Sequence, residues 1–453
     1  MICMRGEFKG RRIHFLGVGG ISMSALAKLT LKLGGEVSGS DISDGRWFAE
    51  LSELGAKVYH GNFPERVAAA DMLVYTAAIA DDDAELVYAR EHGIPTLSRH
   101  EFLASAALEF KSMTAVAGTH GKTTATSLIA HIFSECGLPF TAHIGGIPVG
   151  ADNLQFFGRD YFVTEACEYK RAFTALCPDV AVVLNFECDH PDCYKTEAEL
   201  RQAFSDFLNN LKPGGTVVIN GDTAYQKLDI PKYADICTFG FSDINTCRPE
   251  NITMRRELYS FDLIYGDMRL GRIDSPLFGR HNILNVLASA AVAIKHNLPP
   301  EKIIKAVESF RGVERRFERR FLPSGGEVIF DYAHHPSEIK AVLDTAKART
   351  EGTLRLYFQP HTYSRTKSYF ENFVKVLAEA PYLALVKTYP ARELSTDGFS
   401  ALDLYSALSK LRAVAYFDEL IGVSRHIIRT TKCGDVALVL GAGDIYDIAK
   451  LLF

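Results

Sequence analysis

Ala117-Gly118-Thr119-His120-Gly121-Lys122-Thr123-Thr124 stands between an apolar run at 113–116 and a segment, from about residue 125, whose apolar residues recur at helical spacing. That order is strand, glycine loop, helix, and it makes a cradle for phosphate. Glycines at 118 and 121 let the backbone turn tightly and aim its N–H groups at anionic oxygens, while the helix adds the positive end of its dipole. Lys122 is placed to bridge the outer phosphates of a nucleoside triphosphate, and Thr123 to give its hydroxyl to Mg2+. The usual pattern has a further glycine five residues before Gly121, where this chain has Val116, so the loop is a shorter variant.

Upstream lies a second glycine turn. Arg12-Ile13-His14-Phe15-Leu16 reads as a strand, Gly17-Val18-Gly19-Gly20 as a turn, and the residues from Ile21 to Ala27 as a helix. A second short strand ends at Asp41, 24 positions after Gly17. In dinucleotide-binding folds an acid at about that distance accepts hydrogen bonds from ribose hydroxyls. Glycines alone also mark plain turns; with the acid they favour a Rossmann-like domain holding a nucleotide diphosphate.

Apolar strands continue at 56–59, 72–75 and 96–97, then at 161–164, 180–184 and 216–219, and again at 328–330, 354–358, 383–386 and 436–440, with helical stretches between them. Such alternation gives βαβ units and parallel sheets. The chain is therefore α/β, and its 453 residues suit roughly three domains of about 150 residues. The expected division is 1–108, 109–312 and 313–453: a Rossmann-like domain, a central P-loop ATPase-like α/β domain, and a C-terminal Rossmann-like domain.

Composition excludes other classes. Hydrophobic content of 47%, charged content of 23% and a net charge of -5 are ordinary for a globular protein and suggest neither a nucleic-acid nor a polybasic membrane contact. No apolar run approaches the roughly 20 residues of a spanning helix, and residues 1–12 lack a signal-peptide core, so a cytoplasmic location is expected. Nine scattered cysteines with no C-x-x-C pair indicate neither a disulfide framework nor structural zinc; reduced, mostly buried thiols are expected.

Residues just past the carboxyl ends of parallel strands line the ligand crevice in such folds. Glu165 and Glu168 follow the strand at 161–164, and Asn185, Glu187, Asp189 and His190 follow the next. Glu165 and His190 can thus converge on the phosphate loop, although a histidine there also suits a hydrogen-bonding rim position. His281, Asn282 and Asn285 share a helix's first turn, where Asn282 could cap the helix, contact an adenosine, or do both. Arg315-Arg316 lies at the second boundary, and Asp331-Tyr332-Ala333-His334-His335 and Pro360-His361-Thr362-Tyr363-Ser364-Arg365 follow two further strands.

This ordered set spans nearly the whole chain and resembles the Mur ligases of peptidoglycan synthesis. The resemblance implies a UDP-sugar site at Gly17, Gly19, Gly20, Ser22, Met23, Ser40 and Asp41. It implies an ATP site at Gly118, Thr119, His120, Gly121, Lys122, Thr123 and Thr124, with His281, Asn282, Asn285, Arg316 and Asp331. Lys122, Glu165 and His190 are the implied catalytic residues, Thr123, Glu165 and His190 the implied Mg2+ ligands, and His334, His335 and Arg365 the candidates for the amino acid. The implied small-molecule substrates are UDP-N-acetylmuramate and L-alanine, joined with ATP through an acyl phosphate. A ligase that recycles a murein tripeptide onto the same sugar, and a catalytically silent nucleotide-binding relative, remain alternatives, and the oligomeric state stays open. Thr362 stands where many members carry arginine, and Ala166-Cys167-Glu168 replaces the common Ala-Asp-Glu, which leaves selectivity among alanine, glycine and serine open.

Overall fold

A computed structural model describes residues 8–42, 45–187, 193–391, 393 and 399–453. The expected site residue His190, together with Asp189, lies outside them. The described residues form three sheets. The first holds β1 (Arg12–Leu16), β2 (Glu36–Asp41), β3 (Lys57–His60), β4 (Met72–Tyr75) and β5 (Thr96–Ser98) in the order β3-β2-β1-β4-β5, all parallel. Strand order reverses at β1, which opens a crevice beyond the carboxyl ends of β1 and its neighbours, where the 17–20 turn lies.

The second sheet has ten strands: β6 (Ser112–Ala117), β7 (Phe140–His143), β8 (Leu154–Phe156), β9 (Tyr161–Glu165), β10 (Val180–Val183), β11 (Thr216–Asn220), β12 (Asp235–Phe239), β13 (Cys247–Arg255), β14 (Leu258–Tyr265) and β15 (Met268–Phe278). Their order is β15-β14-β13-β12-β11-β10-β6-β9-β7-β8. The third sheet holds β16 (Glu318–Phe321), β17 (Glu327–Asp331), β18 (Leu354–Phe358), β19 (Tyr382–Val386), β20 (Ala415–Phe417) and β21 (Val436–Leu440), ordered β16-β17-β21-β18-β19-β20 and parallel except for the β16–β17 pair.

The central strands are apolar on both faces because helices cover both sides of a parallel sheet. Every residue of Val180–Val183 and of Val436–Leu440 is buried. The chain divides into two compact units, one of Met1–Ile252, Ser260–Pro276 and His281–Arg311, the other of Thr253–Tyr259, Leu277–Arg280 and Gly312–Phe453. In the first unit a continuous core runs through both of its sheets, from Phe15 and Phe102 to Phe162, Phe204 and Phe207.

Two expectations need correction. The helix after the phosphate loop begins at Lys122, three residues before the apolar periodicity starts, because Gly121 in the left-handed region serves as its N-cap. Of the seven described cysteines only Cys237 and Cys247 are buried, while Cys177 and Cys433 are exposed; all seven are free thiols. Cysteine tolerates burial but does not require it.

Candidate active site

Three neighbouring strands of the second sheet deliver the site. β6 lies between β10 and β9 in parallel register, with Ala117 opposite Val183 and Val116 opposite Glu165. Loops 118–121, 165–168 and 184–187 therefore leave the sheet at one edge. Gly118 has φ 144° and Gly121 φ 85°. A Cβ on Gly121 would stand 2.5 Å from Oδ1 of Asn285, and one on Gly118 3.0 Å from Cβ of Leu184, so both positions require glycine for conformation and for space.

Neighbouring side chains pin the loop. Asn185 accepts the His120 N–H at 2.8 Å and returns its Nδ2 to the His120 carbonyl at 2.9 Å. The Thr119 hydroxyl donates to the Glu187 carbonyl at 2.9 Å and accepts the Glu187 N–H at 3.0 Å. Lys122 Nζ turns back over the loop and donates to the carbonyls of Gly118 (2.5 Å) and Thr119 (3.2 Å) and to both carboxylate oxygens of Glu168 (3.0 and 2.8 Å). Burial is the largest single influence and pushes the Lys122 ammonium down, but the charge and hydrogen bonds of Glu168, with smaller contributions from Cys167 and Glu165, together outweigh it and the net shift is upward.

Asn285 is buried against Gly121 and donates to Asn282 Oδ1 at 2.7 Å, while His281 is exposed at the helix start. Thr123 and Thr124 are nearly buried in the first turn of the loop's helix. Glu165 Oε1 accepts the Gly145 N–H at 2.7 Å. Among the described residues no three His, Cys, Asp or Glu side chains gather into a metal cage. The Thr123 hydroxyl and Glu165 carboxylate are nonetheless hard oxygen donors, the kind Mg2+ takes in small number beside water and phosphate.

At the first sheet, Gly17 and Val18 donate to the Ser40 carbonyl at 2.8 and 3.1 Å, and Gly19 N–H donates to Asp41 Oδ2 at 2.9 Å. Asp41 thus braces the glycine turn itself. The Ser40 hydroxyl is buried and donates to Glu85, which also contacts His14. Ser22 Oγ lies 2.9 Å from Nε2 of His143 and accepts from Arg99 at 3.1 Å, and Met23 is buried. Burial first, then the Arg99 charge, depresses the His143 imidazole to about 4, so it is neutral at neutral pH. Arg99 and His100 line a small pocket with Glu165, Cys167 and Phe173. Arg99 therefore stands between the first glycine turn and the phosphate-loop acid.

The third sheet carries its own cluster. Asp331, at the end of β17, accepts the N–H groups of Phe317 (2.7 Å) and Ala333 (2.8 Å), and burial, opposed by Arg316, raises its carboxyl to about 6. Arg315 is tied to the carbonyls of Gly441 and Gly443, and both Arg315 and Arg316 lie over the Tyr332 ring. His335 caps the helix Pro336–Arg349 by accepting the Ser337 N–H, with Glu338 closing the capping box. His334 and His361 face each other edge to face at 5.9 Å, and Arg365 acts electrostatically on both. Thr362, the departure from the family pattern, caps the short helix Tyr363–Ser368 that carries Arg365.

His334 and His361 are both depressed to about 4, chiefly by burial. They fold neutral, whereas an unfolded histidine titrates near 6.5. Their contribution to stability is therefore full above about pH 6.5 and lost as pH falls towards 4, by about 1–3 kcal/mol for each histidine. Thermal unfolding between pH 7 and 5 should show a falling Tm, and His334→Gln should flatten that slope. An unchanged slope would contradict the assignment.

Within one unit the phosphate loop, Glu165 and Asn285 come together; within the other, Asp331 lies with Arg316, and His334 with Arg365. Glu168, Asn185 and Arg99 take part without having been singled out as site residues. The signal for Glu168 and Asn185 was their place after strand ends; Arg99, the first residue of the helix Arg99–Ala107, offered only a comparable place after β5.

Comparison with known proteins gives three family matches in order along the chain: Mur ligase family, catalytic domain, at residues 12–111; Mur ligase middle domain at 116–293; and Mur ligase, glutamate ligase domain, at 315–443. The UDP-N-acetylmuramate--L-alanine ligase of Clostridium botulinum strain Hall is 37% identical over 98% of this chain and 97% of its own length. The enzyme of that name from Clostridium tetani is 39% identical over 97% of each. Among solved structures, the UDP-N-acetylmuramate-alanine ligase of Thermotoga maritima superposes with a TM-score of 0.82 at 29% identity, over 97% of this chain and 98% of that one. A murein peptide ligase from Psychrobacter arcticus shares the fold, with a TM-score of 0.75 at 23% identity over 98% of each chain.

Proposed function

The chain belongs to the Mur ligase family, and from that premise we propose that it joins L-alanine to the lactyl carboxylate of UDP-N-acetylmuramate with ATP, in peptidoglycan precursor synthesis. The observation that carries the reading is the phosphate loop, with Lys122 and Glu165 at adjoining strand ends, in a chain 37% identical over 98% of its length to a relative named for that reaction. We assign 1–108 to the UDP-sugar, 109–312 to ATP and 313–453 to the amino acid. Both nucleotide substrates are cytoplasmic metabolites, and the reaction belongs in that compartment.

A carboxylate is a poor electrophile. One lactyl oxygen attacks the γ-phosphorus of ATP, ADP leaves, and the resulting acyl phosphate turns that oxygen into part of a leaving group. The unprotonated amine of alanine adds to the carbonyl carbon, the adduct nitrogen gives up one proton to solvent, and collapse of the tetrahedral intermediate expels inorganic phosphate and leaves the amide. The loop's backbone N–H groups other than that of His120, which Asn185 takes, hold the phosphates, and Lys122 offsets charge on the transferred group. Thr123 and Glu165 would hold Mg2+, with His190 as the further ligand, and the ion would supply charge neutralisation at the phosphoryl oxygens. Asn282 and Asn285 serve the adenosine side, Arg316 and Asp331 the nucleotide, and His334, His335 and Arg365 the alanine.

The chemistry predicts where an atom goes. With 18O in the lactyl carboxylate, one labelled oxygen should appear in each phosphate released, because that oxygen bridges carbon and phosphorus before the amine attacks. Phosphate free of label would contradict the acyl phosphate route. Replacing Arg365 by alanine should raise KM for L-alanine tenfold or more, since the substrate's carboxylate loses its cation, while KM for ATP stays within about twofold. If only ATP use suffers, the amino-acid role is misplaced.

A further inference from the structure

Resting on that reading, we propose that Glu168 is a positioning residue: it sets the Lys122 ammonium over the phosphate loop for the outer phosphates, and a strained turn at 170–171 delivers it there. An ammonium has three protons, and Lys122 meets four acceptor oxygens: Gly118 O at 2.5 Å, Glu168 Oε2 at 2.8 Å, Glu168 Oε1 at 3.0 Å and Thr119 O at 3.2 Å. The longest of these, to Thr119, is the contact most readily yielded to a phosphate oxygen. Glu168 cannot be the one that yields. Its side chain is 2% exposed, and yielding would cost the buried carboxylate both of its charge-assisted hydrogen bonds from the ammonium.

The segment after Glu168 is built to hold it. Tyr194 OH donates to the Glu168 carbonyl, which also accepts the Arg171 N–H at 2.9 Å. Lys170 and Arg171 then sit consecutively in the left-handed region, at φ 50° and 57°. Non-glycine residues adopt that conformation only where the surroundings impose it, and such strain gathers at functional sites. Here the surroundings are the Arg171–Asp206 ion pair and the buried Phe173 ring stacked on Phe207 at 5.0 Å. A surface ion pair would need neither the burial nor the strained turn.

The test is the affinity for ATP measured by calorimetry without UDP-sugar, so that no turnover occurs, alongside the affinity for UDP-N-acetylmuramate. Glu168→Gln should weaken ATP binding about tenfold or more and leave sugar binding within twofold; Glu168→Asp, which keeps the charge at shorter reach, should fall between. Because Glu168 acts through Lys122, adding Glu168→Gln to Lys122→Met should bring no further loss of ATP affinity. ATP binding unchanged in Glu168→Gln, or an equal loss with and without Lys122, would overturn the proposal. These readouts are independent of ligase activity: failure of the wild-type protein to release ADP with UDP-N-acetylmuramate and L-alanine would instead overturn the reading on which it rests.

Discussion

Lys122→Ala is expected to abolish ADP release, with kcat down by at least about 10^3, while UDP-N-acetylmuramate binding stays within about twofold. A thousandfold corresponds to about 4 kcal/mol of transition-state stabilisation, the range a preorganised cation contributes at a transferring phosphoryl group. The split between the two ligands follows from the fold. Lys122 lies past β6 in the second sheet and contacts Gly118, Thr119 and Glu168, whereas the glycine turn at 17–20 is braced by Ser40 and Asp41 of the first. The same change removes the cation that bonds both carboxylate oxygens of the buried Glu168, so Tm should fall as well. Binding isotherms for the sugar nucleotide, taken well below the lowered Tm, check the split. Equal loss of both ligands would mean that the division of labour between the sheets is wrong.

Glu165→Gln carries the second large effect, about 10^2–10^3 in kcat with a raised Mg2+ requirement. The substitution keeps the shape of the side chain and an oxygen able to accept the Gly145 N–H, seen at 2.7 Å. What it removes is the negative charge that a hard cation needs. The loop should therefore survive while the affinity for the metal falls. Measuring kcat against free Mg2+ separates the two: a curve displaced to higher concentration supports the ligand role, and a kcat within twofold of wild type over the whole range contradicts it.

Central parallel strands were legible because burial on both faces writes a continuous apolar run. Met72–Tyr75, Leu354–Phe358 and Val436–Leu440 lie where those runs stand. The margin of the second sheet was not. In β13, six of the nine residues Cys247–Arg255 are exposed, and the chain there follows neither a period of two nor an apolar run. Its hairpin to β14 turns through Arg256 and Glu257 in the left-handed region without glycine, so the usual turn signal is missing.

The site divided along similar lines. The phosphate loop announced itself through glycine spacing, which backbone geometry imposes. Glu168 did not: its bond to Lys122 joins residues 46 apart in the chain, and only the parallel register of β6 and β9 brings them together. His335, proposed for the amino acid, also caps a helix, a role its sequence position did not signal, because an imidazole Nδ1 accepts a backbone N–H as a serine oxygen would. Thr362 looked like a lost arginine; in the fold it is the cap of the helix that bears Arg365.

The central claim, ligation of L-alanine to UDP-N-acetylmuramate, is tested most directly by Mg2+-dependent ADP release from ATP with that sugar nucleotide and, in turn, L-alanine, glycine, L-serine and a murein tripeptide. The account predicts release with the highest kcat/KM for L-alanine, and lesser use of glycine and serine, because a small side chain offers only about 1–3 kcal/mol of discrimination. Preference for the tripeptide, or no release with any acceptor, would contradict it.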